Sequence, residues 1–146
     1  MAYRLFGSVG SPYSIKVRSY FRYKDIDHVW LVRNTPELVA EYSKVARLAI
    51  VPTVIMPDGS ALQDSTPMME KLEIVFPTPS VNPPDATVKF ISALLEEYAD
   101  EWGNKWMMHF RWYSTRSAPD YAAYTRKIAV EMNSGKAQGS PGLRAK

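Results

Sequence analysis

Val51-Pro52-Thr53-Val54-Ile55-Met56-Pro57-Asp58-Gly59-Ser60-Ala61-Leu62-Gln63-Asp64-Ser65 is the stretch on which the fold turns. Its first six residues read as a strand opening with proline, the strand position where a missing N–H costs least. Pro57-Asp58-Gly59-Ser60 puts proline and glycine where a tight turn uses them. The brief strand Ala61-Leu62 completes a hairpin. Asp64 and Ser65 are of the types that cap helices, so a helix is expected from there to about Glu73.

Upstream, helix and strand alternate. Thr35-Pro36-Glu37-Leu38 reads as a cap and a helix running to about Val45. His28-Val29-Trp30-Leu31-Val32 reads as a strand. Before it, a helix starts at Pro12, where the absent N–H is harmless in the first turn. Val17, Tyr20 and Phe21 form its apolar stripe, and Lys16, Arg18, Arg22 and Lys24 are assigned to the solvent side. Tyr3 to Gly7 reads as the first strand. The order is therefore β-α-β-α-β-β-α.

Downstream, Pro77, Pro79, Pro83 and Pro84 exclude a helix or central strand and mark a stiff linker. From Ala86 to about Ser114 a long helix is expected, with Val88, Ile91, Leu95, Tyr98, Trp102, Trp106 and His109 at steps of three and four. Pro119 opens another helix reaching about Met132 or Asn133. From Ser134 the chain is polar and glycine-rich, with no burying pattern. The expected organisation is an α/β unit at 1–76, a linker at 77–85, a partial helical unit at 86–133 and a flexible tail at 134–146.

Composition narrows the function. The chain has 146 residues, 46% hydrophobic and 23% charged, as globular proteins do. It has no cysteine, which excludes disulfides, thiolate metal sites and a dithiol redox cycle of its own. His28 and His109 are too few for a histidine-rich cluster, so no metal is expected. No apolar run approaches the ~20 residues that span a bilayer, and Met1 to Phe6 is too short for a secretion signal. The expectation is a cytoplasmic protein without a membrane partner. The net charge of +3 equals the contribution of Lys136, Arg144 and Lys146 in the tail. The near-neutral body lacks the electrostatic footprint of a nucleic-acid binder.

Three motifs occur in order: Ser11-Pro12-Tyr13-Ser14 followed by Lys16-Val17-Arg18, then Val51-Pro52-Thr53, then Leu62-Gln63-Asp64-Ser65. Together they resemble the glutathione transferase superfamily, from Tyr3 into the start of an all-helical second domain. The first resembles that family's active-site loop and first helix, the second its cis-proline loop, the third its acidic-Ser element. The resemblance implies an α/β then all-α chain: a thioredoxin-like βαβαββα domain followed by a truncated helical domain. It also implies a serine-type active site, glutathione as co-substrate, a small electrophile as second substrate, a detoxification role, and a homodimer through the third and fourth helices.

The motif residues suit this chemistry. A free thiol with a pKa near ~8.5 is only about 3% thiolate at pH 7, and the thiolate is the nucleophile. Lowering that pKa by two units takes about 2.7 kcal/mol. One charge-assisted hydrogen bond contributes ~1.5–3 kcal/mol and a helix N-terminus ~0.3–1 more. Ser11, at the start of the first helix, is the candidate donor; Tyr13 and Ser14 are alternatives, and a plain helix cap is the simplest reading of Ser11. It is a donor and not a base, because a serine hydroxyl is too weakly acidic to exchange the thiol proton usefully. Ser11 aligns with the first redox cysteine of thioredoxins, and serine there favours transfer over thiol–disulfide exchange. Tyr3, early in the first strand, is not favoured as a catalytic tyrosine.

A cis Val51–Pro52 bond, which the family implies, would expose the Val51 backbone to pair with a peptide such as glutathione; a trans proline at a strand start is the alternative. Ser65 and the helix-start N–H groups would hold the γ-glutamyl carboxylate, and Asp64 the ammonium. A helix cap alone is the plainer reading of both. Lys44 and Arg47 are merely nearby cations for the glycine carboxylate.

The sequence also departs from the family pattern. Leu48-Ala49-Ile50 replaces the usual Gly-x-Val lead-in to the proline, and about two helices stand where family members have five or more. Tyr98 and Trp102, with Trp106 and His109, are candidates for the second-substrate pocket, though an aromatic stripe reads first as core and His109 as a buried or interface histidine. Phe90, Leu94 and Trp112 lie off the main stripe. A helix apolar on several sides is made to be covered on several sides, so self-association or further helices, and weak conjugating activity, are expected. The rival class is a non-catalytic glutathione-binding or protein-interaction module on the same scaffold.

Overall fold

A computed structural model of the chain describes residues 2–113, 123–124 and 126–130. The elements are β1 (Tyr3–Phe6), α1 (Pro12–Tyr23), β2 (His28–Leu31), α2 (Pro36–Val45), β3 (Thr53–Ile55), β4 (Ala61–Gln63), α3 (Ser65–Val75) and α4 (Ala86–Tyr98). A π-helical segment, Ala99–Gly103, joins α4 to α5 (Asn104–Tyr113). Residues 123–124 and 126–130 are also helical. The chain is α/β, then all-α.

The four-stranded sheet has the order β2-β1-β3-β4. β1 and β2 are parallel, with Leu5 opposite Trp30, and α1 is the crossover that a parallel pair requires. β3 runs antiparallel to both β1 and β4, with Val54 opposite Leu5 on one side and Leu62 on the other. In the β3–β4 turn Gly59 takes a φ of +84°, which glycine adopts without a Cβ clash.

Strand alternation sets the layers. Successive side chains point to opposite faces, so Leu5 and Val54 join Val17, Phe21, Met68 and Leu72 under α1 and α3. Phe6 and Ile55 join Tyr42 of α2 on the other face. A sheet covered on both faces buries consecutive residues. Caps fix the helix starts: Ser11 Oγ accepts from the Ser14 N–H at 3.2 Å, Thr35 Oγ1 from Leu38 at 3.4 Å and Asp85 Oδ1 from Val88 at 2.9 Å.

Four features differ from the sequence reading. β3 starts at Thr53 and not Val51, because Pro52 has no N–H to give the ladder; the Val51–Pro52 peptide bond ahead of it is cis. The basic face of α1 is largely not wet. Lys24 has a fully buried side chain, its Nζ 2.6 Å from Glu73 and donating to Phe76 O at 2.7 Å, while Tyr20 donates to the same carboxylate at 2.9 Å. Lys16 is half-buried, Arg18 lies 4.5 Å from the centre of the Trp30 ring, and only Arg22 of the four is exposed. Long aliphatic stems cover apolar surface while their heads find partners.

Third, the long helix is broken by the π segment at Ala99–Gly103, which shifts the phase of the predicted stripe. Fourth, that stripe is not core: Ile91, Leu95, Tyr98, Trp102 and Trp106 are all 47–61% exposed, and His109 is exposed too. Phe90 and Leu94 are exposed as well. The side chain of Trp112, the start and end of the helix read from Pro119, and the tail from Ser134 lie outside the described residues. Among the described residues no helix is long and apolar enough to cross a membrane.

Removing one partner of a buried pair strands the other charge. Glu73→Ala is expected to lower stability by ~3–5 kcal/mol in urea unfolding, and Lys24→Met with Glu73→Leu to recover most of it. A single-mutant loss below about 1 kcal/mol would show that water reaches Lys24.

Candidate functional site

Ser11 sits at the end of a turn held by several hydrogen bonds. Its N–H donates to Ser8 O at 3.1 Å, the Gly10 N–H to Ser8 Oγ at 3.2 Å, and Arg111 Nη1 to Gly10 O at 2.6 Å. Ser11 is 3% exposed and accepts the Ser14 N–H, which leaves its own O–H as the group available to donate. Ser14 Oγ is buried with no hydrogen-bond partner among the described residues.

Two residues beyond Ser11, Tyr13 of α1 borders a cavity of about 480 Å³. Val51 and Pro52 form one wall, Asp64 and Ser65 another, and Tyr13 a third; Glu97, Asp100 and Glu101 close it from the helical side. The four predicted glutathione contacts therefore meet in one place. Ser11, Ser14, Tyr98 and Trp102 are not on its walls. Tyr98 instead makes an edge contact with Trp106, ring centres 5.7 Å apart, and Trp102 lies 4.8 Å from Lys105 Nζ.

Asp64 departs from the expected cap. It precedes α3 with φ +72° and makes no side-chain capping bond. A non-glycine residue held there costs ~1–3 kcal/mol and persists only where its surroundings fix it. Met68 is the first α3 residue whose N–H reaches Asp64 O, at 3.2 Å. The N–H groups of Ser65 and Thr66, with no Asp64 carboxylate over them, stand at a helix N-terminus, where anions bind. Ser65 itself is buried.

Lys16, Thr66 and Tyr13 hold the walls in place. Lys16 Nζ lies 2.8 Å from Glu96 Oε1 and 2.6 Å from Asp100 Oδ2, tying α1 to α4 and the π segment. Thr66 of α3 donates to the same Glu96 oxygen at 3.1 Å. Burial acts to lower the Lys16 pKa, but the hydrogen bonds to Asp100 and Glu96 prevail and the net shift is upward. For Glu96 burial acts upward, and Lys16 with Thr66 carries the net shift down. Tyr13 donates to Asp100 O at 2.7 Å. Burial, then the charges of Asp100 and Glu101, push its phenol up, so it stays protonated and its proton is committed to that carbonyl.

Gln63, part of the Leu62-Gln63-Asp64-Ser65 motif but given no role by the sequence reading, anchors the loop before the cis bond. Its Oε1 accepts from the N–H groups of Arg47 at 2.9 Å and Leu48 at 3.0 Å. Its Nε2 donates to Leu48 O at 2.8 Å and Thr53 Oγ1 at 3.0 Å. Arg47 lines a neighbouring groove with Lys71, whereas Lys44 is exposed and lines neither space.

A thioredoxin-like sheet, a cis-proline loop and a serine-capped α1 beside a cavity define the class to which the comparisons also point. Residues 5–80, just over half of the chain, match the family model for the glutathione S-transferase N-terminal domain. The chain belongs to the glutathione S-transferase family. Among solved structures, it is 29% identical to a glutathione S-transferase from Methylobacillus flagellatus with glutathione bound, TM-score 0.60, over 92% of this chain and 66% of that one. It is 25% identical to one from Methylobacterium radiotolerans in complex with glutathione sulfonate, TM-score 0.62, over 94% and 65%. A glutathione S-transferase from Rhodospirillum rubrum is also 25% identical, TM-score 0.58, over 70% and 46%. The chain thus spans about half to two thirds of the length of these relatives. No curated protein matches it.

The depressed Glu96 pKa fixes the sign of a pH effect. A carboxylate favoured in the folded state stabilises above its ordinary pKa and loses that contribution as pH falls through the folded value. Stability is therefore expected to drop below about the ordinary 4.5 of a glutamate, and Lys16→Met to flatten that acid limb in thermal unfolding followed by tryptophan fluorescence. Identical acid limbs in the two proteins would contradict the role given to Lys16.

Proposed function

We propose that this chain binds glutathione in the cavity beside α1 and activates its thiol, as thiolate, for attack on a small electrophile. The observation that carries this reading is the meeting of Val51, Pro52, Asp64 and Ser65 around one space that Tyr13 of α1 also lines. The γ-glutamyl carboxylate would take the Ser65 hydroxyl and the first N–H groups of α3. The adjacent ammonium would face Asp64, with Glu97, Asp100 and Glu101 supplying further negative charge. The Val51 backbone would pair with the cysteinyl residue as a strand does.

Ser11 would donate its O–H to the sulfur, and the N-terminus of α1 would favour the anion. The sulfur then forms a bond to the electrophilic carbon while a leaving group departs with its electron pair. In an addition, the pair moves onto the acceptor, which is then protonated. The glutathione and glutathione sulfonate held by the two bacterial relatives support the ligand class. A homodimer through α3 and α4 belongs to the same reading, supported by the exposure of Ile74, Ile91 and Leu95. So do a cytoplasmic location and a detoxification role.

One observation favours a second reading, binding without turnover: Ser11 is almost fully buried and is not on the cavity wall. Retention on immobilised glutathione together with a conjugation assay separates the two, since retention without turnover selects the binding module. On the catalytic reading, Ser11→Ala lowers turnover ~10²-fold with glutathione affinity within a few-fold, because a donor to the anion acts on the reactive state. Ser65→Ala does the reverse, weakening binding by about tenfold or more through loss of a charge-assisted bond. Full activity in the Ser11 variant, or unchanged affinity in the Ser65 variant, would remove the respective assignment.

A further inference from the structure

The turn that carries Ser11 is gripped from the distant helical part of the chain. Arg111 of α5 donates to Gly10 O at 2.6 Å across 101 residues of sequence. Ile128 presses on the same residue: a Cβ on Gly10 would lie 2.1 Å from Ile128 Cγ2, and Ile128 is buried. The carbonyl that Arg111 holds and the Ser11 N–H belong to one planar peptide unit. That N–H is tied in turn to Ser8 O at 3.1 Å. The plane is fixed at both ends, and Ser11 Cα leaves directly from it.

We propose that Arg111 is a positioning residue for the thiolate donor: with Ile128 behind Gly10, it sets the Gly10–Ser11 peptide plane and brings a permanent positive charge to the turn. The inference rests on the cavity being the glutathione site. The charge is needed because of what else borders that space. Asp64, Glu97, Asp100 and Glu101 line it, and each carboxylate disfavours a second anion nearby. From α1, Lys16 is paired with Glu96 and Asp100 and Tyr13 is a neutral phenol. From the later helix, Arg126 and Lys127 are exposed. On α5, His109 is exposed and Arg111 is the cation bonded to the turn. A guanidinium keeps its charge throughout the useful pH range, and it acts here through the peptide that carries the donor.

The test uses the full chain and glutathione itself, titrating the thiolate absorbance of the bound ligand against pH alongside turnover. In the native protein the bound thiol is expected to ionise below its solution value. Arg111→Met is expected to raise that pKa by about one unit, a tenfold smaller thiolate fraction below it, and to move the turnover–pH profile by the same amount with affinity within a few-fold. Arg111→Lys, which keeps the charge but not the fork, recovers part of the shift. A native-like thiol pKa and pH profile in Arg111→Met would overturn the proposal while leaving the glutathione site intact. A native protein that binds no glutathione, or leaves its thiol at the solution value, would overturn the site reading and this inference with it. Should Arg111→Met not fold, the Gly10 contact decides: Gly10→Ala loses activity and Gly10→Ala with Ile128→Ala regains it. A fully active Gly10→Ala would contradict the grip on the turn.

Discussion

Lys16 reaches Glu96 at 2.8 Å and Asp100 at 2.6 Å from a helix that begins at the candidate thiolate donor, and the geometry of the site depends on that bridge. α4 has no buried residue with which to hold itself to the sheet domain. Its attachment is polar: Lys16 and Thr66 to Glu96, Lys16 to Asp100, Tyr13 to the Asp100 carbonyl, and Arg111 from α5 to Gly10. A half-exposed ion pair contributes only ~0–1 kcal/mol, so several acting together are needed to keep one wall of the cavity in register. The bonds converge on α1 and the turn before it, the segment that carries the proposed thiolate donor.

The cavity balances opposed electrostatic demands. Its acidic wall suits an ammonium, and glutathione carries one at the end that Asp64 and Ser65 would hold. The same wall works against a thiolate. On the proposed reading, what would favour the thiolate is the N-terminus of α1, the Ser11 hydroxyl and the guanidinium on the Gly10 carbonyl. The positive φ of Asp64 fits this arrangement. Asp64 makes no capping bond, and the first N–H groups of α3 are not covered by its carboxylate.

Most of the α/β layering was legible because its signals are local. Pro12 and Pro36 open helices, Gly59 turns the hairpin, and the runs around Leu5-Phe6 and Val54-Ile55 read as strands. The misreadings came from contacts between distant residues. Lys16 and Lys24 follow the pattern of a solvated helix face, yet find Glu96, Asp100 and Glu73 across the fold. The π segment breaks the three-and-four spacing where Tyr13 bonds to the Asp100 carbonyl, and no residue at Ala99–Gly103 advertises it. Val51, Pro52, Asp64 and Ser65 could be singled out because they lie in short motifs. Gln63 bonds mainly to backbone groups of the Arg47–Leu48 segment, and Arg111 to the Gly10 carbonyl; no local motif announces such distant backbone partners.

The most direct measurement is a crystal structure of the full chain with glutathione. It should show the γ-glutamyl carboxylate on Ser65 and the start of α3, the cysteinyl backbone paired with Val51, and the sulfur within hydrogen-bond distance of Ser11 Oγ. Glutathione absent from this cavity, or a sulfur held by a different donor while Ser11 stays buried behind the turn, would contradict the account.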